Sequence, residues 1–145
     1  RVMRRAGVGM PEDGFRKVAE TDVELRERRG GGASSRDIAG ALGASEMTLR
    51  VWRYGPGHQM AYHRHQTQEE IYHLVSGGPQ ELLVEGEVVV VDDGDWVRVS
   101  RDTVRRIQNT SDREAVWITI GAPPGPGITD GVRIDPATGQ EIPRT

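Results

Sequence analysis

The stretch that decides the fold runs from Gly57 to Gly77 and has the sequence GHQMAYHRHQTQEEIYHLVSG. Within it, His63 and His65 are two residues apart, and Glu70 follows five positions later. Residues i and i+2 of a strand point to the same face, so the two imidazoles are expected to converge. Two neutral imidazoles and one carboxylate are a usual ligand set for iron, manganese, nickel or zinc. These three residues are the predicted ligands of a divalent transition metal.

A bare His-x-His pair has a simpler explanation, in which two surface histidines lie beside an acidic turn. For Glu70 to join the histidines, the chain must turn through residues 66–69 and return as the next strand. Because the stretch also has a glycine at each end and Glu70 at the required spacing, the metal site is favoured over a pair of surface histidines.

The stretch resembles the first sequence motif of the cupin superfamily position for position. It has Gly57, five residues, His63-x-His65, four residues, Glu70, six residues and Gly77. With its flanking strands, the resemblance covers residues 45–121. It implies a small antiparallel β-barrel with a site in its mouth. It does not imply one reaction, because cupins include dioxygenases, isomerases, epimerases, decarboxylases, storage proteins and non-enzymatic ligand sensors.

The second motif of the family is matched only in part. Gly94-Asp95 and Asn109 fall where that motif has its glycine and its closing asparagine, but Arg105 takes the place of a third histidine. A guanidinium stays protonated and has no free lone pair, so Arg105 cannot bind a metal. Two outcomes stay open. Either a metal persists on three protein ligands with open positions for water or substrate, or the metal is lost and Arg105 pairs with Glu70 or with an anionic ligand. An Arg105 directed outward would favour the metal, whereas an Arg105 paired with Glu70 would count against it.

Arg105 and Tyr72 are the predicted ligand-binding residues. Arg105 would hold a carboxylate through two parallel hydrogen bonds. Tyr72 shares the parity of Glu70 along its strand, so its ring is expected in the cavity wall, with a place in the barrel core as the alternative. No catalytic residue is predicted, because the chain offers no Ser/His/Asp set, phosphate loop or paired catalytic carboxylates.

The composition narrows the class of protein. A chain of 145 residues fits one domain with a real core. The net charge of −3 gives no reason to expect nucleic acid or an anionic membrane surface as a partner. Because the chain has no cysteine, disulfides are excluded and any metal must be held by nitrogen and oxygen. A cytoplasmic location is expected, and no organic cofactor is predicted.

The hydropathy pattern divides the chain into three parts. Residues 1–44 are expected to form a polar N-terminal arm with one short helical turn after Ser34-Ser35. Period-two alternation predicts a barrel over residues 45–121. Residues 122–145 form a tail rich in proline and glycine, which cannot continue a central strand. The many short strands indicate an all-β barrel or sandwich, and the resemblance implies a double-stranded β-helix, or jelly roll.

Two functions follow from these features. In the first, the protein binds a divalent metal and acts on or binds a small polar or anionic metabolite. In the alternative, it is a non-catalytic ligand-binding or sensing protein without a catalytic metal, and Arg105 replaces the third histidine. Small barrels have edges to cover, so a homodimer is expected, with the N-terminal arm able to cross to the partner.

Overall fold

The computed structural model describes residues 14–124 and 130–143. Residues 1–13 of the predicted arm, and residues 125–129 and 144–145 of the predicted tail, lie outside the described residues. The described part contains a 3-10 turn at Glu20–Asp22, one short α-helix and a series of strands. In chain order these are β1 (Arg26–Glu27), β2 (Ala33–Asp37), α1 (Ile38–Leu42), β3 (Thr48–Tyr54), β4 (His63–His65), β5 (Glu69–Ser76), β6 (Gln80–Val84), β7 (Glu87–Val91), β8 (Trp96–Val99), β9 (Arg105–Gln108), β10 (Ala115–Ala122) and β11 (Gly131–Arg133).

Two antiparallel sheets form the barrel. The larger sheet has the strand order β1-β2-β3-β10-β5-β8, and the smaller has the order β11-β4-β9-β6-β7. Side chains along β10 alternate between buried and half-buried, as expected for a strand with one face on a core. Trp117, Tyr72 and Leu74 from the larger sheet meet Leu82 and Ile107 from the smaller one in that core. The predicted all-β jelly-roll fold is confirmed.

The glycines that frame the quoted stretch have backbone conformations that other residues rarely adopt. Gly57 has a φ of +77° and Gly77 a φ of +90°. At Gly77 a Cβ atom would also collide with the carbonyl oxygen of Glu114, at the approach to β10. Gly77 therefore lets the end of β5 pass close to the neighbouring strand, which fixes the register of the strand that carries Glu70.

The N-terminal segment contributes a strand to the larger sheet. The short helical turn predicted after Ser34-Ser35 lies at Ile38–Leu42, and the residues before it, Ala33–Asp37, form a strand because they pair with β3 along their whole length. Asp37 caps the helix by accepting a hydrogen bond from the Gly40 amide at 2.9 Å. None of the described helices has the length and apolar content needed to cross a membrane.

The C-terminal tail contributes an edge strand to the smaller sheet. β11 pairs with β4 in antiparallel register, with Gly131 opposite His65. A tail rich in proline and glycine is not suited to a central strand, and β11 lies at the edge of its sheet. This pairing brings the residue before β11, Asp130, next to the quoted stretch.

Candidate metal centre in the barrel mouth

The three predicted metal ligands come from both sheets. His63 and His65 lie two positions apart on β4, so both imidazoles point to the same face of the smaller sheet. Glu70 lies on β5 of the larger sheet. The chain between them turns through residues 66–68 and returns as β5, as the spacing predicts.

The side chains of this group converge on one point. The His65 Nε2 atom is 3.0 Å from Glu70 Oε1, and the His63 Nε2 atom is 3.9 Å from the same oxygen. One ligand atom from each residue lies within 4.8 Å of the other two. The structure thus confirms that His63, His65 and Glu70 form a group that could hold a metal ion.

Hydrogen bonds on the outer side of the two rings set which nitrogen faces inward. His63 Nδ1 lies 2.7 Å from the carbonyl oxygen of Ala61, which only accepts, so this nitrogen must carry the proton. His65 Nδ1 lies 2.9 Å from the Asp130 carboxylate and donates to it for the same reason. Both Nε2 atoms are therefore the ones presented to Glu70. A carboxylate behind a ligating imidazole is a common support for a metal ligand, because it orients the ring and raises its basicity.

Asp130 is the supporting residue that the sequence did not reveal. The residue is 3% exposed, and its carboxylate accepts hydrogen bonds from the Thr67 amide at 2.9 Å and the Thr67 hydroxyl at 2.6 Å. Burial raises the pKa of Asp130, but hydrogen bonds from Thr67, His65 and Gln68 outweigh it and hold the pKa below its ordinary value. Asp130 thus stays ionised behind His65. Nothing in its local sequence marks it, because its contact with His65 spans 65 residues of the chain.

Arg105 is directed inward and pairs with Glu70. Its guanidinium is fully buried, with Nη2 donating to Glu70 Oε1 at 2.7 Å and Nε to the Tyr72 hydroxyl at 3.2 Å. A third nitrogen, Nη1, donates to the carbonyl oxygen of Thr103 at 2.8 Å. Of the two positions expected for Arg105, the structure shows the pairing with Glu70, which counts against a bound metal because it keeps a positive charge beside the three ligands.

Tyr72 belongs to the same buried network. Its hydroxyl donates to Glu70 Oε1 at 3.0 Å, and its side chain is fully buried. Burial and the nearby Glu70 charge raise the pKa of Tyr72, so it stays a neutral donor. The direct ligand contacts predicted for Tyr72 and Arg105 stay a prediction. The contacts seen place both beneath Glu70, on its side toward the core.

Glu70 is ionised despite its burial. Burial raises the pKa of the carboxyl, but the contacts with His63 and His65, together with the charges of His65 and Arg105, hold it well below its ordinary value. A carboxylate oxygen 3.0 Å from His65 Nε2 requires a positive centre between or on them. That centre is either a proton on His65 or a cation bound by both atoms.

Comparison with known proteins agrees with this geometry. Residues 50–121 match the family model of the cupin domain. The chain belongs to the cupin superfamily. No curated protein sequence matches this cupin.

Several solved structures share the cupin's fold. A sugar phosphate isomerase of the cupin superfamily from Silicibacter pomeroyi DSS-3 is 21% identical with a TM-score of 0.69, covering 83% of this chain and 88% of that one. The polyketide cyclase RemF from Streptomyces resistomycificus is 17% identical with a TM-score of 0.70, and the match covers 87% of this chain and 89% of that one. KdgF from Halomonas sp. is 15% identical with a TM-score of 0.64, and the match covers 74% of this chain and 94% of that one. Identities this low show a common fold only.

The metal-ligand group lies in the wall of a cavity of about 620 Å³ that opens at the barrel mouth of this cupin. On the larger sheet the cavity is lined by Trp52, whose indole Nε1 donates to the Thr119 hydroxyl at 3.1 Å. Met60 adds a second apolar surface, and Arg28 and Arg50 add positive charge. The cavity therefore combines an imidazole–carboxylate group, an apolar wall and two guanidinium groups.

Proposed function

We propose that this cupin binds a divalent transition metal through His63, His65 and Glu70 and acts on or binds a small polar or anionic metabolite in the cavity. The observation that carries the proposal is the inward presentation of both Nε2 atoms, fixed by the outer hydrogen bonds to Ala61 and Asp130. Iron, manganese, nickel and zinc all suit two imidazoles and a carboxylate. When bound, such an ion would act as a Lewis acid toward an oxygen of the ligand.

The protein's own residues would orient the ligand and tune the carboxylate. Arg105 and Tyr72 donate to Glu70 Oε1 from beneath, so they fix the orientation of this carboxylate toward the histidines. Trp52 and Met60 would exclude water from one side of the ligand. The fold is shared with proteins named as a sugar phosphate isomerase and a polyketide cyclase, which is compatible with a small oxygen-rich ligand here.

Elemental analysis tests the metal directly. Protein purified without chelator in metal-free buffers should carry close to one transition-metal ion per chain. His63→Ala should lose it, whereas His73→Ala should keep it. His73 is a matched control because it lies on β5 but faces outward, stacked on Trp96 at 3.6 Å between ring centroids. Wild-type protein without metal, even after incubation with zinc or manganese, would reject the proposal.

A second function is favoured by one specific contact, the 2.7 Å bond between Arg105 and Glu70. Two unit charges 4 Å apart interact by about 4 kcal/mol at an effective dielectric constant near 20, so a fixed guanidinium beside the site opposes a dication. In this alternative the cupin is a non-catalytic ligand-binding or sensing protein, and His65 carries the proton between Glu70 and Asp130. Ligand-induced thermal stabilisation that persists in excess chelator would favour this function over the first.

The expected homodimer and cytoplasmic location stay predictions. In support of the dimer, the edge strands β7 and β8 expose apolar side chains, with Val88 at 53%, Val90 at 62% and Trp96 at 61%. Edge strands with such side chains are prone to pair with another chain. Sedimentation that shows only a 16.0 kDa species would remove the expectation of a dimer.

A further inference from the structure

Arg28 lines the cavity although it belongs to the N-terminal segment, between β1 and β2. Its backbone amide donates to Ala33, which fixes the turn leading into β2. Its side chain reaches across to the segment before β4, where Nη1 donates to the carbonyl oxygen of Gln59 at 3.3 Å. Within residues 14–124 and 130–143, no carboxylate lies within ion-pair distance of this guanidinium.

The other positive groups near the cavity are compensated. Arg50 lies 3.7 Å from the Asp37 carboxylate, and Arg105 is paired with Glu70. The buried neighbour of Arg28 does not neutralise it either. Burial raises the pKa of Tyr54, so its hydroxyl stays a neutral phenol beside the guanidinium. Among the described residues, Arg28 thus presents a positive charge to the cavity without a carboxylate counterion.

The cavity brings groups of opposite charge together. Glu70 and Asp130 line it beside the two histidines, and Arg28 enters it from the N-terminal segment. Trp52 and Met60 provide apolar surface in the same cavity. A ligand that fits this pattern has an anionic group for Arg28 and an apolar body against the indole.

We propose that Arg28 is a specificity-determining residue that binds the carboxylate of a small organic acid in the cavity. The inference rests on the proposed function, because it names the class of ligand for the same cavity. A guanidinium holds a carboxylate through two parallel charge-assisted hydrogen bonds. A single negative charge matches the guanidinium of Arg28, whereas a phosphate group of nearly two charges would leave charge facing Glu70 and Asp130.

The test compares carboxylates with their uncharged amides on the full chain. Benzoate and isobutyrate should bind in calorimetry and raise the melting temperature, and benzamide and isobutyramide should bind at least about tenfold more weakly. Arg28→Gln should weaken benzoate binding about tenfold or more, and Arg28→Lys should lie between the two. Arg53→Gln is the control and should bind benzoate like wild type. Arg53 is a partly exposed arginine that pairs with Glu114 outside this cavity.

Several outcomes overturn the inference. Equal affinity for benzoate and benzamide would do so, and so would an unchanged benzoate affinity in Arg28→Gln. The inference also fails if the wild-type protein binds no carboxylate. It fails again if inorganic phosphate binds with the same affinity as benzoate and the same dependence on Arg28. Circular dichroism of Arg28→Gln and Arg28→Lys checks that both variants fold. Metal content is measured on the same samples. If the protein keeps its metal but binds benzoate equally well without Arg28, this inference alone is refuted. If benzoate binding depends on Arg28 but the protein never takes up metal, the metal proposal alone is refuted.

Discussion

Replacing Arg105 by methionine should destabilise the whole barrel, because the guanidinium compensates a buried carboxylate. The side chain is fully buried and donates to Glu70 at 2.7 Å, to Tyr72 at 3.2 Å and to the Thr103 carbonyl at 2.8 Å. Removing one partner of a buried ion pair costs about 3–5 kcal/mol. We expect Arg105→Met to lower the free energy of unfolding by about that amount, which is a large part of the about 5–15 kcal/mol of a typical domain.

A double-mutant cycle with Glu70→Gln separates the pair from general disruption of the core. Urea unfolding is followed by circular dichroism in chelator, so that bound metal does not add stability. Glu70→Gln should cost at least about 1 kcal/mol less in the Arg105→Met background than in wild type, because the carboxylate is uncompensated there. As a control, Arg53→Met breaks a partly exposed pair with Glu114 and should cost only about 0–1 kcal/mol. A loss below about 1 kcal/mol for Arg105→Met, or strictly additive effects, would refute this reasoning.

Three further predictions concern the same network. Asp130→Asn should weaken zinc affinity by about 10–100-fold in competition with a chelating dye, because His65 loses the carboxylate that orients it; an unchanged affinity would contradict the supporting role. Arg105→His should tighten zinc binding in calorimetry, because it removes a positive charge and adds an imidazole opposite His63 in the β9–β4 pair. Equal or weaker zinc binding would count against a shared site. In metal-free protein, the free energy of unfolding should fall as the pH drops below 4.5, the ordinary pKa of a glutamate. The reason is that the unfolded chain then takes up a proton that Glu70, with its lowered pKa, does not. Glu70→Gln should flatten this part of the profile, and equal slopes would exclude Glu70 as the source.

The parts of the structure that depend on local geometry could be predicted from the sequence. The alternation of buried residues along β5 and β10 follows from the two-residue period of a strand. The same period explains why His63 and His65 share a face. Glu70 joins them because a short turn separates β4 from β5. Each of these inferences needs only neighbouring residues.

The parts that depend on distant pairing could not be predicted. The strand at Ala33–Asp37 forms through its contact with β3, although Ser34-Ser35 alone favours a helix start. Asp130 reaches His65 only because β11 pairs with β4. Arg28 lies in a mixed-charge run that predicts a solvated surface, and only the packing of its segment beside the barrel directs it to the cavity. In all three cases the deciding partner is another strand rather than a neighbouring residue.

The position of β11 has a consequence for how metal binding and folding are coupled. It is the last of the described strands in chain order, and the residue just before it, Asp130, supports a histidine that lies 65 positions earlier in the chain. An ion held by His65 would then depend on the docking of this C-terminal segment against β4. Removing that ion should lower the cooperative melting transition of the entire domain, rather than loosen the mouth alone.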